Sequence, residues 1–198
     1  MVKNIIFDIG RVLIGWEPYS GTFFDKETYK IVTAAMFDSN LWMEFDRGVL
    51  EEEEIIRLMA AKAPGYEEQI RYFVNNIGLV CSKKDYAAPL IKSLKAKGYK
   101  VYYLSNYNKP VMRNAPDILY FLPEMDGGIF SCDVKLVKPD HRIYELLCEK
   151  YNLIPSECIF IDDRKDNVDG AIECGWQAIL FTNYDDTIKK LNAILGIA

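Results

Sequence analysis

Five short, continuously apolar runs constrain the fold of this chain more than any other feature of its sequence. A strand with one wet face alternates apolar and polar residues, whereas a strand buried on both faces is apolar throughout. The runs are Asn4–Ile9, Lys100–Leu104, Gly128–Cys132, Cys158–Ile161 and Gln177–Phe181, of which the third is the weakest. Strands of this kind belong to parallel sheets that helices cover on both faces.

Amphipathic helical patterns lie between these runs and after the last one. They are Lys83–Lys97, Pro139–Tyr151, Asn167–Cys174 and a final helix with the stripe Ile188, Leu191 and Leu195. Pro139 suits a first helical turn, where no N–H is needed, and Gly98 suits the position just after a helix. Because strands alternate with helices, the sequence predicts an α/β fold, with a Rossmann-like parallel sheet and helices on both faces.

A long segment after the first run shows only helical patterns. Ile55, Met59 and Ala63 recur at helical spacing, and no strand-like run interrupts residues 17–81. We therefore expect a core domain of residues 1–15 and 82–198, and a small all-helical insert of residues 16–81.

Composition limits the partners and the compartment of the protein. The 198 residues carry a net charge of −5 without a Lys/Arg-rich run, which argues against nucleic acid or an anionic membrane as a partner. No apolar run approaches the roughly 18 residues that span a bilayer, and the first strand follows Met1 without a signal-peptide pattern. The five cysteines are scattered without a CxxC pair, as in reduced thiols. We expect a soluble, cytoplasmic protein, with monomer and homodimer both open.

Polar residues follow the apolar runs where each predicted strand ends. Asp8 and Gly10 close the first run, Ser105-Asn106 follows the second, and Asp162-Asp163 follows the Cys158–Ile161 run. Lys138 comes after the weakest run, directly before a predicted helix. In an open α/β sheet, ligands bind outside the carboxyl ends of the strands. The ordered set therefore predicts a site for an anion together with a metal ion.

In this order and context, the residues resemble the motifs of the haloacid dehalogenase (HAD) superfamily over nearly the whole chain. The first motif, D-x-D-G-[TV]-[LI] after a strand, corresponds to Asp8-Ile9-Gly10-Arg11-Val12-Leu13. The second, a Ser or Thr after a strand, is Ser105, and the third, a lysine before a helix, is Lys138. The fourth, an acidic pair, is Asp162-Asp163, followed by Asn167. The insert is similar to the C1 cap of that family, which closes over the sheet and selects substrate.

The resemblance implies a catalytic role for two residues. Asp8 would attack phosphorus and form an aspartyl-phosphate, which divides one difficult displacement into two. Lys138 would neutralise this nucleophile and the transferring phosphoryl group. Ser105 and the backbone N–H of Asn106 would hold phosphoryl oxygens, an electrostatic task.

The resemblance also implies a magnesium site. Mg²⁺ prefers hard oxygen ligands and would bridge the carboxylate and the phosphoryl group, which otherwise repel each other. Asp8, Asp163 and the backbone carbonyl of Gly10 match the ligands of the family, and Asp162 would contribute through water.

Two residues depart from the family pattern. Gly10 stands where the family carries an aspartate that protonates the leaving group and then activates water, a contribution of about 10²–10⁴ in rate. The candidates that could replace this aspartate are Asp162 in the core, and Glu17, Asp46 or Arg47 in the insert. Arg11 stands where the family usually has glycine; it either reaches a substrate anion or faces solvent.

We therefore expect a Mg²⁺-dependent phosphatase for a small phosphorylated metabolite, with a sugar phosphate as the leading class. A HAD subgroup with D-x-G-x-V-[IL] includes sugar-phosphate phosphatases and resembles this chain. One alternative is a 2-haloacid dehalogenase, which needs no metal and also lacks the second aspartate, although the Asp162-Asp163 pair argues against it. Another is a weakly active or non-catalytic protein that binds a phosphorylated ligand, suggested by Gly10. A phosphotransferase is a further possibility.

Overall fold

A five-stranded parallel sheet forms the centre of the protein in the computed structural model, which describes residues 1–19 and 23–197. The strands in chain order are β1 (Asn4–Phe7), β2 (Ile14–Trp16), β3 (Cys81–Lys83), β4 (Lys100–Ser105), β5 (Gly127–Phe130), β6 (Cys158–Asp162) and β7 (Gln177–Leu180). The main sheet has the order β5-β4-β1-β6-β7, and every neighbouring pair in it is parallel. All five predicted runs thus form strands of one parallel sheet, and the predicted α/β class is confirmed.

Ten α-helices surround or extend this sheet in the described residues. They are α1 (Lys26–Phe37), α2 (Leu41–Arg47), α3 (Glu52–Ala60), α4 (Glu67–Asn75), α5 (Ala87–Ala96), α6 (Lys109–Asn114), α7 (Ser131–Val134), α8 (His141–Tyr151), α9 (Lys165–Glu173) and α10 (Tyr184–Leu195). Short 3-10 turns lie at Ile77–Val80, Pro116–Leu119, Leu122–Glu124 and Pro155–Glu157.

The first strand is apolar throughout because it is buried on both faces. Ile5 and Phe7 pack in one apolar cluster, and Ile6 points into a second cluster on the other face of the sheet. Tyr144 of α8 and Trp176 belong to that second cluster. Burial on both sides is the reason that an alternating polar pattern is absent from this strand.

Four helices, α1 to α4, form the insert between β2 and β3. These two strands pair antiparallel, with Trp16 opposite Cys81, and form a ribbon at the base of the insert. Ile55 and Met59 are buried in the same apolar cluster as Ile5 of the sheet. The division into a core and an insert of residues 16–81 stays a prediction, and residues 20–22 and 198 of these two segments lie outside the described part of the chain.

Two predicted helices start later than the sequence suggests. The helix predicted from Pro139 is α8, which begins at His141, because Asp140 is its N-cap and accepts from the N–H of Arg142. Pro139 therefore precedes the helix.

The second late start is that of α5. Lys83 belongs to β3, and α5 begins at Ala87 after a turn in which the N–H of Ala87 donates to the carbonyl of Lys84. The prediction was wrong at this end because pairing with β2 holds Lys83 in an extended conformation. That pairing depends on a residue far away in sequence, Ile14, which lies opposite Lys83.

The described residues contain neither a disulfide bond nor a helix that could cross a membrane. All five cysteines are free. Within residues 1–19 and 23–197, no helix combines the length and the apolar character needed to cross a membrane.

Candidate active site

Three carboxylates meet at the carboxyl edge of the sheet. Phe7 of β1 lies opposite Ile161 of β6, so the residues that follow, Asp8 and Asp162, emerge side by side. One ligand oxygen from each of Asp8, Asp162 and Asp163 lies within 4.8 Å of the others. The structure therefore brings together the acidic residues of two motifs that are more than 150 positions apart in the sequence.

The side chain of Lys138 enters this acidic cluster and is almost fully buried, with 2% of its surface exposed. Its Nζ donates to Oδ1 of Asp8 at 2.8 Å, to Oδ2 of Asp162 at 2.6 Å and to the carbonyl of Leu104 at 2.8 Å. An ammonium group has three N–H donors, so each of them has a partner. Lys138 is thus held in one position and neutralises part of the charge of the cluster.

The amide of Asn106 fixes the loop that carries this lysine. Its Oδ1 accepts from the backbone N–H of Lys138 at 2.8 Å, and its Nδ2 donates to the carbonyl of the same residue at 3.0 Å. Asn106 also lines the cleft above the site. Ser105, the last residue of β4, is buried and is not among the residues that line the cleft.

Asp162 is held by its neighbours as well as by Lys138. Its Oδ1 accepts from the backbone N–H of Arg164 at 2.8 Å, and Nδ2 of Asn167 lies 3.1 Å from both of its oxygens. These bonds leave Asp162 fully buried with its carboxylate occupied. The Oδ1 of Asn167 is buried and has no hydrogen-bond partner among the described residues.

The cluster carries more negative than positive charge. Burial raises the pKa of Asp8 well above its ordinary value; Lys138 opposes this rise and Asp162 adds to it. Burial, followed by the charge of Asp162, also raises the pKa of Asp163. Burial alone would lower the pKa of Lys138, but the charges of Asp162 and Asp8 outweigh it and raise that pKa. Excess charge of this kind, held in a buried place, favours a bound cation.

The donor set fits a hard divalent cation. Carboxylate oxygens and backbone carbonyls are the ligands that Mg²⁺ takes in proteins, usually together with several waters. Asp8 and Asp163 could offer such oxygens at the edge of the cleft, and Gly10 lies beside them with its backbone carbonyl. The unpartnered Oδ1 of Asn167 is an acceptor that a water on the cation would satisfy.

Gly10 and Arg11 both line the cleft, in different ways. A Cβ added at Gly10 would find its nearest heavy atom, Oδ2 of Asp8, at 4.0 Å, so the position has room for a side chain. Arg11 has a φ of 60°, in the left-handed region that glycine adopts most easily, which is a physical reason for a glycine at this position in the family pattern. The side chain of Arg11 is half exposed, and its Nη1 lies 3.7 Å from Oδ2 of Asp163.

Aromatic side chains of the insert form the opposite wall of the cleft, which has a volume of about 480 Å³. The ring centroids of Phe37 and Trp42 lie 4.6 Å apart, and those of Trp16 and Trp42 lie 5.7 Å apart. Trp16 and Trp42 both line the cleft, which the sequence does not reveal. Aromatic composition alone carries no signal of which face of a helix looks into a cavity.

Asp46 is the acidic residue that the insert buries at the cleft. It lies on α2, has 8% of its surface exposed, and accepts at Oδ1 from Nδ2 of Asn108 at 2.8 Å. Burial raises the pKa of Asp46 to about 7, against the hydrogen bond from Asn108 and with the help of the charge of Asp8. The two other candidate substitutes in the insert do not line the cleft: Glu17 is exposed, and Arg47 pairs with Glu44.

The sequence did not identify Asn108 as a residue of the site, although its position before a helix is a sequence signal for a capping residue. Its Oδ1 accepts from the N–H of Val111 and caps α6, a role for which asparagine is well suited. The free side of its amide then points to Asp46, since Nδ2 makes the bond to that carboxyl group. The capping function could have been found from the sequence, but the partner could not.

The fold and the site together define a class of enzyme: an α/β protein whose first strand ends in a carboxylate, beside a buried lysine and an acidic pair, under a helical insert. A family model described as haloacid dehalogenase-like hydrolase matches residues 3–175. The chain belongs to this family, and it is an enzyme of the hydrolase class. The predicted membership of the HAD superfamily is confirmed.

Several relatives act on phosphate esters according to their names. A sesquiterpene phosphatase of Aspergillus oryzae is 27% identical over 98% of this chain and 97% of its own length. A D-ribitol-5-phosphate phosphatase of Bacteroides thetaiotaomicron is 27% identical over 99% of this chain and 100% of its own length. A flavin mononucleotide hydrolase of Arabidopsis thaliana is 30% identical over 79% of this chain, which spans 62% of that longer protein.

Solved structures show the same fold. A HAD-like family hydrolase of Porphyromonas gingivalis superimposes with a TM-score of 0.74 and 25% identity, over 98% of each chain. A HAD family enzyme of Bacteroides thetaiotaomicron, in complex with magnesium and inorganic phosphate, superimposes with a TM-score of 0.69 and 18% identity, over 94% of this chain and 99% of that one.

Proposed function

We propose that this chain is a Mg²⁺-dependent phosphatase that acts on a small phosphorylated metabolite through an aspartyl-phosphate on Asp8. One observation carries the proposal: the carboxylate of Asp8 lies 2.8 Å from the ammonium of Lys138, within the cluster that also holds Asp162 and Asp163. A carboxylate in this setting can attack phosphorus, and its surroundings can balance the charge of an incoming phosphoryl group.

The residues around Asp8 have different roles in the proposed reaction. Lys138 favours the ionised form of Asp8 and aims one carboxylate oxygen, because a hydrogen bond to Oδ1 fixes the rotation of the group. Asp162 holds the lysine in turn, and Asn106 holds the loop behind it. Arg11 lies at the cleft with a half-exposed guanidinium that can meet an anionic substrate.

Asp8, Asp163 and the backbone carbonyl of Gly10 would hold the metal. The ion would reduce the repulsion between the nucleophile and the phosphoryl oxygens and polarise the phosphorus. The oxygens of Asp162 are occupied by protein donors, so we place this residue behind the ligands rather than among them. The related structure that contains magnesium and phosphate supports the choice of metal.

The walls of the cleft support a preference within the substrate class. The sequence favours sugar phosphates, and a D-ribitol-5-phosphate phosphatase among the relatives supports this class. However, Trp16, Phe37 and Trp42 line the cleft together with Pro18 and Met43. Aromatic and apolar walls favour a leaving group with an apolar or aromatic part. We therefore propose phosphate monoesters of this kind as better substrates than sugar phosphates.

Two competing functions fit the site less well. A 2-haloacid dehalogenase attacks carbon without a metal, and a third carboxylate beside the nucleophile would repel its anionic substrate. A protein that only binds phosphorylated ligands would not need a buried lysine aimed at a carboxylate. Burial of an unneeded charge is unfavourable, so the intact pair argues for catalysis.

The experiment uses p-nitrophenyl phosphate, whose leaving group needs little protonation. We expect turnover with Mg²⁺, loss of turnover with excess EDTA, and recovery when Mg²⁺ is restored. Asp8→Asn should abolish turnover while the far-UV circular dichroism spectrum stays that of the wild type. Equal turnover with the chelator, or activity in Asp8→Asn, contradicts the proposal.

A further inference from the structure

The proposed hydrolysis lacks an obvious proton donor. Gly10 has no side chain at the position from which the family supplies an acid, and the space around it is open to 4.0 Å. An alkoxide leaving group needs a proton as its bond to phosphorus breaks. The second half of the reaction needs a base, because water must lose a proton when it attacks the aspartyl-phosphate.

In the described part of the chain, four acidic side chains line the cleft: Asp8, Asp38, Asp46 and Asp163. Asp8 is the proposed nucleophile, and Asp163 is a proposed ligand of the metal. Asp38 is exposed to solvent at the end of α1. Of the two that remain among the described residues, only Asp46 is buried, and it comes from the wall that faces the nucleophile.

We infer that Asp46, which the insert supplies, is the proton donor to the leaving group and then the base for water. The inference rests on the proposed function. It assigns to a residue of the insert the task that Gly10 leaves open, so that the insert contributes catalysis as well as the wall of the cleft.

Two loops of the core hold Asp46 in place. Nδ2 of Asn108, in the loop after β4, donates to Oδ1 of the carboxyl group. Oγ of Ser131, at the start of α7, donates to the backbone carbonyl of Asp46 and accepts from the N–H of Tyr107. Both ends of the residue are therefore tied to the loops that follow strands of the sheet. A donor held in this way keeps a fixed distance to the reacting atoms.

The protonation of Asp46 suits the task. Its pKa is raised to about 7, mainly by burial, so at neutral pH the acid and the base forms are both populated. The charged groups that act on it are Asp8, Lys138 and Arg164, of which the first raises and the other two lower this pKa.

Asp46 gives up a proton in the first step of the proposed reaction and takes one back in the second. In the first, an oxygen of Asp8 forms a bond to phosphorus, the bond from phosphorus to the leaving oxygen breaks, and that oxygen takes the proton of Asp46 and leaves as an alcohol. In the second, the carboxylate of Asp46 takes a proton from water, the water oxygen bonds to phosphorus, and the bond to Asp8 breaks. Inorganic phosphate leaves, Asp8 is again a carboxylate, and Asp46 is again protonated.

A purely structural role for Asp46 is the competing explanation, because its bond to Asn108 also ties the insert to the core. The two roles differ in their dependence on the leaving group. Loss of an acid lowers kcat/KM for esters with a poor leaving group and barely affects kcat/KM for those with a good one, because kcat/KM reports only the steps up to release of the leaving group. Loss of the base slows the second step, which is the same for every substrate, and so lowers kcat alone. Loss of a structural bond slows both to a similar extent.

The test therefore compares hexyl phosphate, an alkyl ester, with p-nitrophenyl phosphate in Asp46→Asn. Asparagine keeps an oxygen that can accept from Asn108 but carries no acidic proton. We expect kcat/KM to fall about 10²–10⁴-fold for hexyl phosphate and less than about tenfold for p-nitrophenyl phosphate. Equal losses on the two substrates, or no loss on hexyl phosphate, would overturn the inference.

Two further variants sharpen the result. Asn108→Ala removes the hydrogen bond but keeps the acid, so its losses on the two substrates should be similar. Gly10→Asp, introduced into Asp46→Asn, should restore hexyl phosphate turnover at least tenfold, since the position has room for the side chain. Failure of the proposed function has a different signature, because the wild type itself would then not hydrolyse p-nitrophenyl phosphate with Mg²⁺.

Discussion

The ammonium of Lys138 lies 2.8 Å from the carboxylate of Asp8, although 130 positions separate the two residues in the sequence. Lys138 has 2% of its surface exposed, so water screens this pair very little. Asp162 shares the same ammonium at 2.6 Å. Stability and reactivity of the site are therefore coupled through one side chain.

Replacing Lys138 by methionine should destabilise the protein strongly. The change leaves Asp8 and Asp162 buried without their partner, and breaking a buried pair in this way costs about 3–5 kcal/mol. Urea unfolding in EDTA measures the free energy of unfolding, and phosphatase activity should be lost as well. The control is Lys165→Met, which removes an exposed pair with Asp169 and should change stability by less than about 0.5 kcal/mol. Similar stability in the two variants would contradict this account of the pair.

Magnesium should stabilise the folded wild-type protein even without substrate. A ligand that binds only the folded state adds about 2.7 kcal/mol at one hundred times its Kd. Thermal unfolding at increasing Mg²⁺ should show a rising Tm in the wild type and a much smaller rise in Asp163→Asn, which removes a proposed ligand. Sodium at matched ionic strength serves as the control. Equal rises in both proteins would place the metal elsewhere.

Because the pKa of Asp46 is raised, the free energy of unfolding should depend on pH through this residue. Between the ordinary carboxyl pKa of 3.8 and about 7, the folded protein keeps a proton on Asp46 that the unfolded chain releases. This contribution to the free energy of unfolding is complete below pH 3.8 and is lost as the pH rises through about 7. Asp46→Asn lacks it, so the variant should gain stability relative to the wild type across this range.

Relative to the wild type, Asp46→Asn should gain at most about 4 kcal/mol in free energy of unfolding, since one pKa unit corresponds to about 1.4 kcal/mol. Urea unfolding of both proteins at several pH values from about 4 to about 8 measures it. A difference between the two proteins that stays constant with pH would show that Asp46 titrates at its ordinary value.

The aromatic wall of the cleft should select apolar leaving groups. Trp42→Ala should lower kcat/KM for hexyl phosphate by at least about tenfold, because a buried apolar contact contributes about 1.5–3 kcal/mol. A hexose phosphate should lose much less, and so should hexyl phosphate in the control variant Leu79→Ala, which changes an exposed residue of the insert. The opposite order of losses would favour sugar phosphates as substrates.

The sheet and its functional edge could be predicted because their signals are local. A run such as Asn4–Ile9 is apolar throughout only if both faces are covered, and residues that end parallel strands share one edge. For this reason, the sequence predicted that Asp8 and Asp162 lie at the same edge of the sheet, whereas the pairing of β1 with β6 that brings them side by side came only from the structure. The start of α5 at Ala87 did not, since it depends on the pairing of β3 with β2.

The sequence could not show which residues of the insert face the cleft. Asp46 was one of four candidates for the missing acid, and nothing in α2 itself shows that this residue faces the cleft. The orientation of Asp46 is set by hydrogen bonds from Asn108 and Ser131, which lie on two segments of the core. Trp16 and Trp42 present the same difficulty, because aromatic residues pack in cores and line cavities with equal ease.

The central claim is that Asp8 carries the phosphoryl group, and a trapping experiment tests it most directly. Wild-type protein is mixed with p-nitrophenyl phosphate and Mg²⁺, quenched in acid within the first turnover, digested with pepsin and analysed by mass spectrometry. We expect a phosphoryl group on Asp8 that hydroxylamine removes and that is absent from Asp8→Asn. A phosphoryl group on another residue, or turnover without any covalent phosphate, would contradict the account.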